Sequence, residues 1–337
     1  MAAIALLGRG DGSDPKVLRP ASPETGPERQ TACHSGGMQV APISVVIPTH
    51  DRPAALDACL AGLAAQSLPT GRFEVFVVDD GGSVELADVV GRHEGSLHVS
   101  LIRQPHGGPA SARNAGAARA GGGALAFTDD DCVPDPGWLE AIAGAVERSP
   151  GCLVGGRTEN ALAANLCSDA SQSVTSYLYA EALRRTGELP FVASNNLALE
   201  RGLFEALGGF DESFPDAAAE DRDLSARCRA HGGSLVYEPA ALVRHAHPLD
   251  PRSLLRQYVA YGRGARRLAG SPGQGRAAPG IRSPAFYTGM LVEPFGRLSP
   301  GRAAAVASLV ALTQIGTAIG YASGSVRETS SGHDHPG

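Results

Sequence analysis

Apolar residues first fall into a pattern at Ile43, where the run Ile43-Ser-Val-Val-Ile47 stops at Pro48. A short β-branched run closed by a turn-forming residue suits a strand buried on both faces. Leu56, Cys59, Leu60 and Leu63 follow at helical spacing within 54–66. The alternation continues with an extended run at 73–78, a helix at 84–92, a strand at 97–103, a helix at 109–120 and a strand at 124–128. Strands separated by helices at this interval predict a mostly parallel α/β sheet with right-handed crossovers.

The second half is less regular. Residues 138–148, 171–185, 201–207 and 221–231 read as helices, the last with Leu224 and Cys228 on one face. Residues 153–157 read as a strand, 191–199 as extended, and 234–237 and 241–245 as two short strands. A basic helix is expected over 251–267, then a Gly/Pro/Arg linker over 270–284. Between Arg302 and Arg327 no residue is charged, and that length suffices to cross a bilayer. Gly316, Gly320, Gly324 and Gln314 dilute the segment, so 303–326 is expected either to enter a membrane or to lie as a packed or interfacial helix. The basic helix before it favours an anionic cytoplasmic leaflet. Residues 1–41 show no apolar period and read as a disordered lead-in, with Met38 as an alternative start; 327–337 reads as a disordered tail.

Composition narrows the class. With 43% hydrophobic and 19% charged residues in 337, the chain carries enough apolar surface for a sizeable core. A net charge of −6 gives no general attraction to nucleic acid, so an anionic ligand must be held by a local device. The six cysteines form no C-x-x-C pair and read as reduced, mostly buried thiols. Without a secretory signal at 2–7, a cytoplasmic location is expected, with the C-terminal segment available to the cytoplasmic face of the membrane.

Ligands in parallel α/β sheets bind outside the carboxyl ends of the strands. The polar clusters fall at those ends: Thr49-His50-Asp51-Arg52, then Asp79-Asp80, then Asp129-Asp130-Asp131. Adjacent carboxylates repel one another unless a cation resides there, and divalent Mg or Mn is a natural occupant that also bridges phosphates. Asp79-Asp80-Gly81-Gly82 is either a plain turn or a carboxylate for a nucleobase. Gly107-Gly108 enters a helix whose backbone donors and Arg113 are available to a nucleotide, although the run fits neither G-x-x-x-x-G-K-S/T nor G-x-G-x-x-G. Glu220-Asp221 at a helix start offers either dipole-complementing acids or a general base. His245 and His247, two residues apart, point the same way; a single histidine completing a carboxylate-bound metal is the better reading than a two-histidine zinc pair.

Taken together, these residues resemble the family 2 glycosyltransferases of the GT-A fold. The likeness spans about 43–247. It rests on Ser44-Val-Val-Ile-Pro48-Thr49-His50-Asp51-Arg52, Val77-Val78-Asp79-Asp80-Gly81-Gly82-Ser83 and Gly107-Gly-Pro-Ala-Ser-Ala-Arg113-Asn114-Ala-Gly116. It continues through Phe127-Thr128-Asp129-Asp130-Asp131 to Trp138-Leu139, and then Ser194-Asn195-Asn196, Gly208-Gly209-Phe210-Asp211-Glu212 and Glu220-Asp221-Arg-Asp-Leu224. The resemblance implies a Rossmann-like domain over 42–250, its nucleotide-binding half at 42–135 and acceptor half at 136–250. The basic helix and linker at 251–302 and the apolar helix at 303–326 then form a C-terminal extension.

It also implies roles. Pro48 and Thr49 border the nucleotide, Asp80 contacts the base, Arg113 lies beside base or diphosphate, and Asp129 or Asp130 approaches the ribose. Asp131 is the metal ligand with His245, His247 remaining open, and Mn2+ or Mg2+ is the ion. Asp221 is the base with Glu220 second to it, and Asn195 and Asn196 meet the acceptor. The reaction implied is inverting transfer of one sugar from a UDP-, GDP- or dTDP-sugar to a glycan, lipid-linked or small-molecule hydroxyl, in cell-envelope glycan, glycolipid or secondary-metabolite synthesis. No Q-x-x-R-W run of processive synthases is present. A sugar nucleotidyltransferase would carry a Gly-rich, basic loop where this chain reads Pro48-Thr-His-Asp-Arg-Pro53. A non-catalytic, membrane-associated binding module would have no use for intact Asp80, Asp131, Asp221 and His245.

Overall fold

The computed structural model describes residues 42–214, 218–269 and 282–324. The expectations for 1–41, for 327–337 and for most of the linker therefore lie outside the described residues. Strands and helices alternate through β1 (Ile43–Thr49), α1 (Pro53–Ala64), β2 (Phe73–Asp80), α2 (Ala87–Gly91), β3 (Val99–Gln104), α3 (Gly108–Ala117) and β4 (Ala124–Thr128). Beyond them come β5 (Cys132–Pro134), α4 (Trp138–Arg148), β6 (Leu153–Asn160), α5 (Leu166–Thr186), β7 (Asn196–Glu200) and α6 (Arg201–Ala206). The chain continues with α7 (Glu220–Ala230), β8 (Leu235–His245), α8 (Pro251–Ala269), α9 (Pro284–Val292) and α10 (Pro300–Ser323).

The strands form one sheet in the order β3-β2-β1-β4-β7-β6-β8-β5. β1 pairs in parallel with β2 on one side and β4 on the other, so the carboxyl ends of three neighbouring strands open on one rim. At β7 the direction reverses: β4–β7, β6–β7 and β5–β8 are antiparallel, while β6–β8 is again parallel. Period-two alternation splits the strand side chains between two layers. Ile43, Val45 and Ile47 pack with α1 and α4 on one face, whereas Val46, Val78 and Phe127 pack with α3 and the α6–α7 region on the other.

Three local features depart from the sequence reading. β5 is a three-residue strand that its length concealed. The two short strands expected near 234–245 are one strand, β8, whose register against β6 jumps between Gly156 and Arg157. Pro239 sits in that jump, where a missing ladder donor costs nothing. α5 starts five residues early because the Asn165 side chain accepts from the Cys167 and Ser168 N–H groups.

The C-terminal helices form a third cluster, in which Leu254, Tyr258, Val306 and Val310 pack against Cys167 and Val174 of α5. α8 and α10 run backbone against backbone. A Cβ at Gly320 would strike the Val259 carbonyl, and one at Gly262 the Thr317 carbonyl. The glycines that diluted the apolar segment are thus its packing seam. α10 is the one helix among the described residues long and apolar enough to cross a membrane, yet one of its faces is buried against the domain.

Candidate active site

The rim gathers the carboxylates as the strand order requires. Their placement depends on β5, which pairs Cys132 with His245 across the sheet edge. The Ala246 N–H also donates to the Asp131 carbonyl at 2.7 Å. These contacts bring a residue from the first half of the chain against two histidines from the end of the domain. His245 Nε2 lies 3.1 Å from Asp131 Oδ1 and His247 Nδ1 3.2 Å from Oδ2. Their rings stack with 5.2 Å between centroids and 11° between planes. One ligand atom from each of Asp131, His245 and His247 falls within a span of 4.8 Å. The structure therefore unites both histidines with Asp131, where the sequence had favoured one.

The residues fit a divalent ion. Asp131 Oδ1 is buried without a hydrogen-bond partner of good geometry, and a buried polar atom left so is costly unless something else meets it. Burial opposes ionisation of Asp131, but the two histidines and Arg52 outweigh it and hold its carboxyl far below the usual range. The His245 imidazole is correspondingly shifted up: burial opposes the shift and Asp131 imposes it. The lowered Asp131 value keeps a negative oxygen there, and an ion would have to displace the proton that the raised value favours on His245.

Arg52 is a site residue to which the sequence reading gave no role. Its Nη1 lies 3.0 Å from both Asp130 Oδ1 and Asp131 Oδ2. The available signal was its place in the motif after β1. Thr49 donates to Asp130 Oδ2 at 2.7 Å. Burial pushes the Asp130 carboxyl up to about 6 despite Arg52 and Thr49. Of the two aspartates assigned to the ribose, Asp130 has a side chain only 4% exposed and Asp129 one 28% exposed, so Asp129 is the accessible one.

Arg113 links the donor rim to the second acid pair. From a buried position it donates to Asp129 Oδ1 at 2.7 Å and to Glu220 Oε1 at 3.0 Å. Burial and the neighbouring Asp221 push the Glu220 carboxyl up to about 7, with Arg113 pulling the other way. Asp221 is raised too, chiefly by burial. Its Oδ1 accepts from the Arg222 N–H at 2.7 Å. Glu220 is thus bound to Arg113 through Oε1, with Oε2 buried and without a hydrogen-bond partner, whereas Asp221 is held by backbone N–H groups.

The Asp80 carboxylate accepts from Gln104 Nε2 and from the Gly107 and Gly108 N–H groups, and His106 Nδ1 lies 2.9 Å from its Oδ2. Asp80 fastens the turn into α3 and, with Pro48, His50 and His106, forms one wall of a cleft of about 590 Å³. A second cavity of about 500 Å³ shares Arg113 and Asp129 with this cleft and is lined further by Asn195, Glu220 and Asp221. His245 and His247 border both spaces. Asn196 departs from its expected acceptor role: its amide accepts from Trp138 Nε1 and donates both hydrogens, to the Arg157 and Ala241 carbonyls. That side chain clamps β7 to its neighbours.

The sheet order, the carboxylate rim and the paired spaces define the GT-A class of nucleotide-dependent transferases. Comparison with known proteins agrees. The pattern of the glycosyl transferase family 2 matches residues 44–208. Over these residues the chain is a family 2 glycosyltransferase domain. It is 33% identical over 218 residues to the validoxylamine A glucosyltransferase of Streptomyces hygroscopicus subsp. jinggangensis, covering 56% of this chain and 52% of that one. It is 32% identical over 243 residues to the pre-mycofactocin glycosyltransferase of Mycobacterium tuberculosis, covering 67% of this chain and 47% of that one. The chain thus spans about half the length of the curated relatives it matches. Among solved structures, a mannosyltransferase from Pyrobaculum calidifontis, in complex with GDP-Man and Mn2+, shares the fold with a TM-score of 0.58 at 18% identity, covering 84% of this chain and 87% of that one.

Proposed function

We propose that this chain transfers a single sugar from a nucleoside-diphosphate sugar to an acceptor hydroxyl, with inversion at the anomeric carbon. One observation supports this above the rest: buried Arg113 bridges Asp129 to Glu220, with the metal-ligating Asp131 on the first space, the raised carboxyl pair on the second, and His245 and His247 bordering both. The nucleotide occupies the cleft of Pro48, Thr49 and Asp80, with Asp129 toward the ribose and Arg113 beside the diphosphate. Asp131, His245 and His247 would hold a divalent ion, which when bound offsets the charge developing on the diphosphate. Two imidazoles among three ligands favour Mn2+ over Mg2+, which prefers an all-oxygen shell. Asp221 accepts the acceptor proton as the new C–O bond forms; the C–O bond to phosphate breaks on the opposite side, and its electron pair leaves with the diphosphate. A single displacement of this kind inverts the centre.

The test is donor turnover with a panel of UDP-, GDP- and dTDP-sugars. Release of nucleoside diphosphate is expected with one of them, greater with Mn2+ than with Mg2+, and abolished by EDTA. Release that ignores chelator would contradict the role given to Asp131 and the histidines.

We further propose that the domain works at the cytoplasmic face of a membrane. Ile315 and Ile319 on the outer side of α10 are 53% and 52% exposed, and Val292 and Phe295 of the C-terminal helices are exposed as well. Arg252, Arg256 and Arg263 are exposed along α8, where each basic residue near an anionic surface adds about 1 kcal/mol. The chain is expected to float with vesicles containing phosphatidylglycerol, and the Ile315→Glu/Ile319→Glu pair to stay at the bottom of the gradient. Equal flotation of both proteins would refute the docking.

A further inference from the structure

The cavity beside Asp221 carries a chemical preference of its own. Asn195 Oδ1 and Gln257 Oε1 line it, both buried and both without a hydrogen-bond partner. Each is an acceptor, so each calls for a ligand that donates hydrogens. Tyr179, Phe191 and Tyr237 form an aromatic side: Tyr179 and Phe191 meet edge to face at 5.5 Å, Tyr179 and Tyr237 at 6.3 Å. Tyr179 is fixed by the Ala193 N–H, which donates to its hydroxyl at 2.9 Å. Aromatic faces beside amide oxygens suit a ring with apolar C–H faces and a rim of hydroxyls.

Two of the three arginines of the cavity are already paired with carboxylates, and the third lies over a ring. Arg113 is held by Asp129 and Glu220, Arg157 lies 3.5 Å from Glu159, and the Arg222 guanidinium sits 4.3 Å over the Phe191 ring. Glu220 and Asp221 add negative potential. An anionic group would find only Arg222 without a carboxylate ion pair, and would meet it beside Glu220 and Asp221, whose charge opposes an anion there. The volume, about 500 Å³, falls within the range of roughly 300–1,000 Å³ that encloses small ligands.

We propose that the acceptor is a small, non-anionic polyol of one or two rings, whose hydroxyls donate to Asn195 and Gln257 while the reacting hydroxyl faces Asp221. This rests on the glycosyltransferase reading of the site for the reacting hydroxyl, but the binding itself does not require turnover. The first experiment is therefore equilibrium binding by saturation-transfer NMR to the full chain, with methyl glucoside, trehalose and myo-inositol as probes against glucose 6-phosphate and a long glucan. Binding is expected for the neutral small probes and not for the phosphate ester or the glucan. The second uses Asn195→Leu and Gln257→Leu, with polyol Kd, and acceptor KM against kcat, read separately. Each substitution is expected to raise Kd and KM about five- to tenfold, the worth of one hydrogen bond. Preference for the phosphate ester, which would make Arg222 an anion anchor, overturns the proposal, as does preference for the glucan or an unchanged Kd in both variants. Absence of nucleotide binding with intact polyol binding would instead fault the donor-side reading alone.

Discussion

Asp131→Asn is expected to lower the metal-dependent transfer rate by about three orders of magnitude. The substitution keeps the shape of the side chain and removes the charge between the two histidines and Arg52. An ion stabilising a leaving diphosphate contributes several kcal/mol, and each 1.36 kcal/mol is about tenfold in rate. Single-turnover kinetics with Mn2+ in excess, beside the Mn2+ affinity of the nucleotide complex, read the two parts separately. A variant that bound Mn2+ as well as the parent and retained its rate would remove Asp131 from the metal site. Circular dichroism guards against loss of fold, because His245, His247 and Arg52 would be left facing one another.

The second large effect concerns the acid pair. Asp221→Asn is expected to reduce kcat by about 10²–10⁴, the range of general-base catalysis. Glu220→Gln is expected to act differently, through stability, since Glu220 holds buried Arg113 and breaking one side of a buried pair costs about 3–5 kcal/mol. The contrast decides which acid takes the proton. If Glu220→Gln lost the rate and Asp221→Asn kept it, the two roles would be exchanged.

The same pair sets the pH dependence. A base works ionised, and burial holds both carboxyls protonated to higher pH than usual, Glu220 to about 7. Activity is therefore expected to rise with pH along a limb above the ordinary range of an aspartate, in the direction burial moves Asp221. Stability runs the other way: a carboxyl whose native pKa lies above its unfolded value favours the folded chain below the unfolded value, near 4.5 for Glu220, and loses that contribution as pH rises toward 7.

The first half of the fold was legible because each strand there is a continuous apolar run with a polar cluster at its end. The order β2-β1-β4 then places Thr49, Asp80 and Asp129–Asp131 on one rim without further information. Antiparallel pairing at β4–β7 carries no such local mark, and β5 is too short to show a period. For the same reason the union of His245 and His247 on Asp131 was half seen: two-residue spacing implied a shared direction, but the register Cys132–His245 that supplies the partner is a long-range property. Arg52 and Asn196 show the complementary limit. Residue type alone does not tell whether a polar group meets ligand or backbone, and Asn196 spends its amide on Trp138, Arg157 and Ala241.

The β5–β8 edge has a thermodynamic consequence. Asp131 and His247 stand 116 positions apart in the chain, and an ion shared between them would tie a long loop at its two ends. Such a tie acts as a removable staple, because closing a long loop is an entropic cost that grows with the logarithm of its length, and binding to the folded state alone adds about 2.7 kcal/mol at a hundredfold excess over Kd. The melting temperature is thus expected to rise by several degrees with Mn2+ and to fall back with EDTA, before any sugar is present. An unchanged melting curve at saturating Mn2+ would mean that the edge is already closed by protein contacts with nothing left for an ion to add.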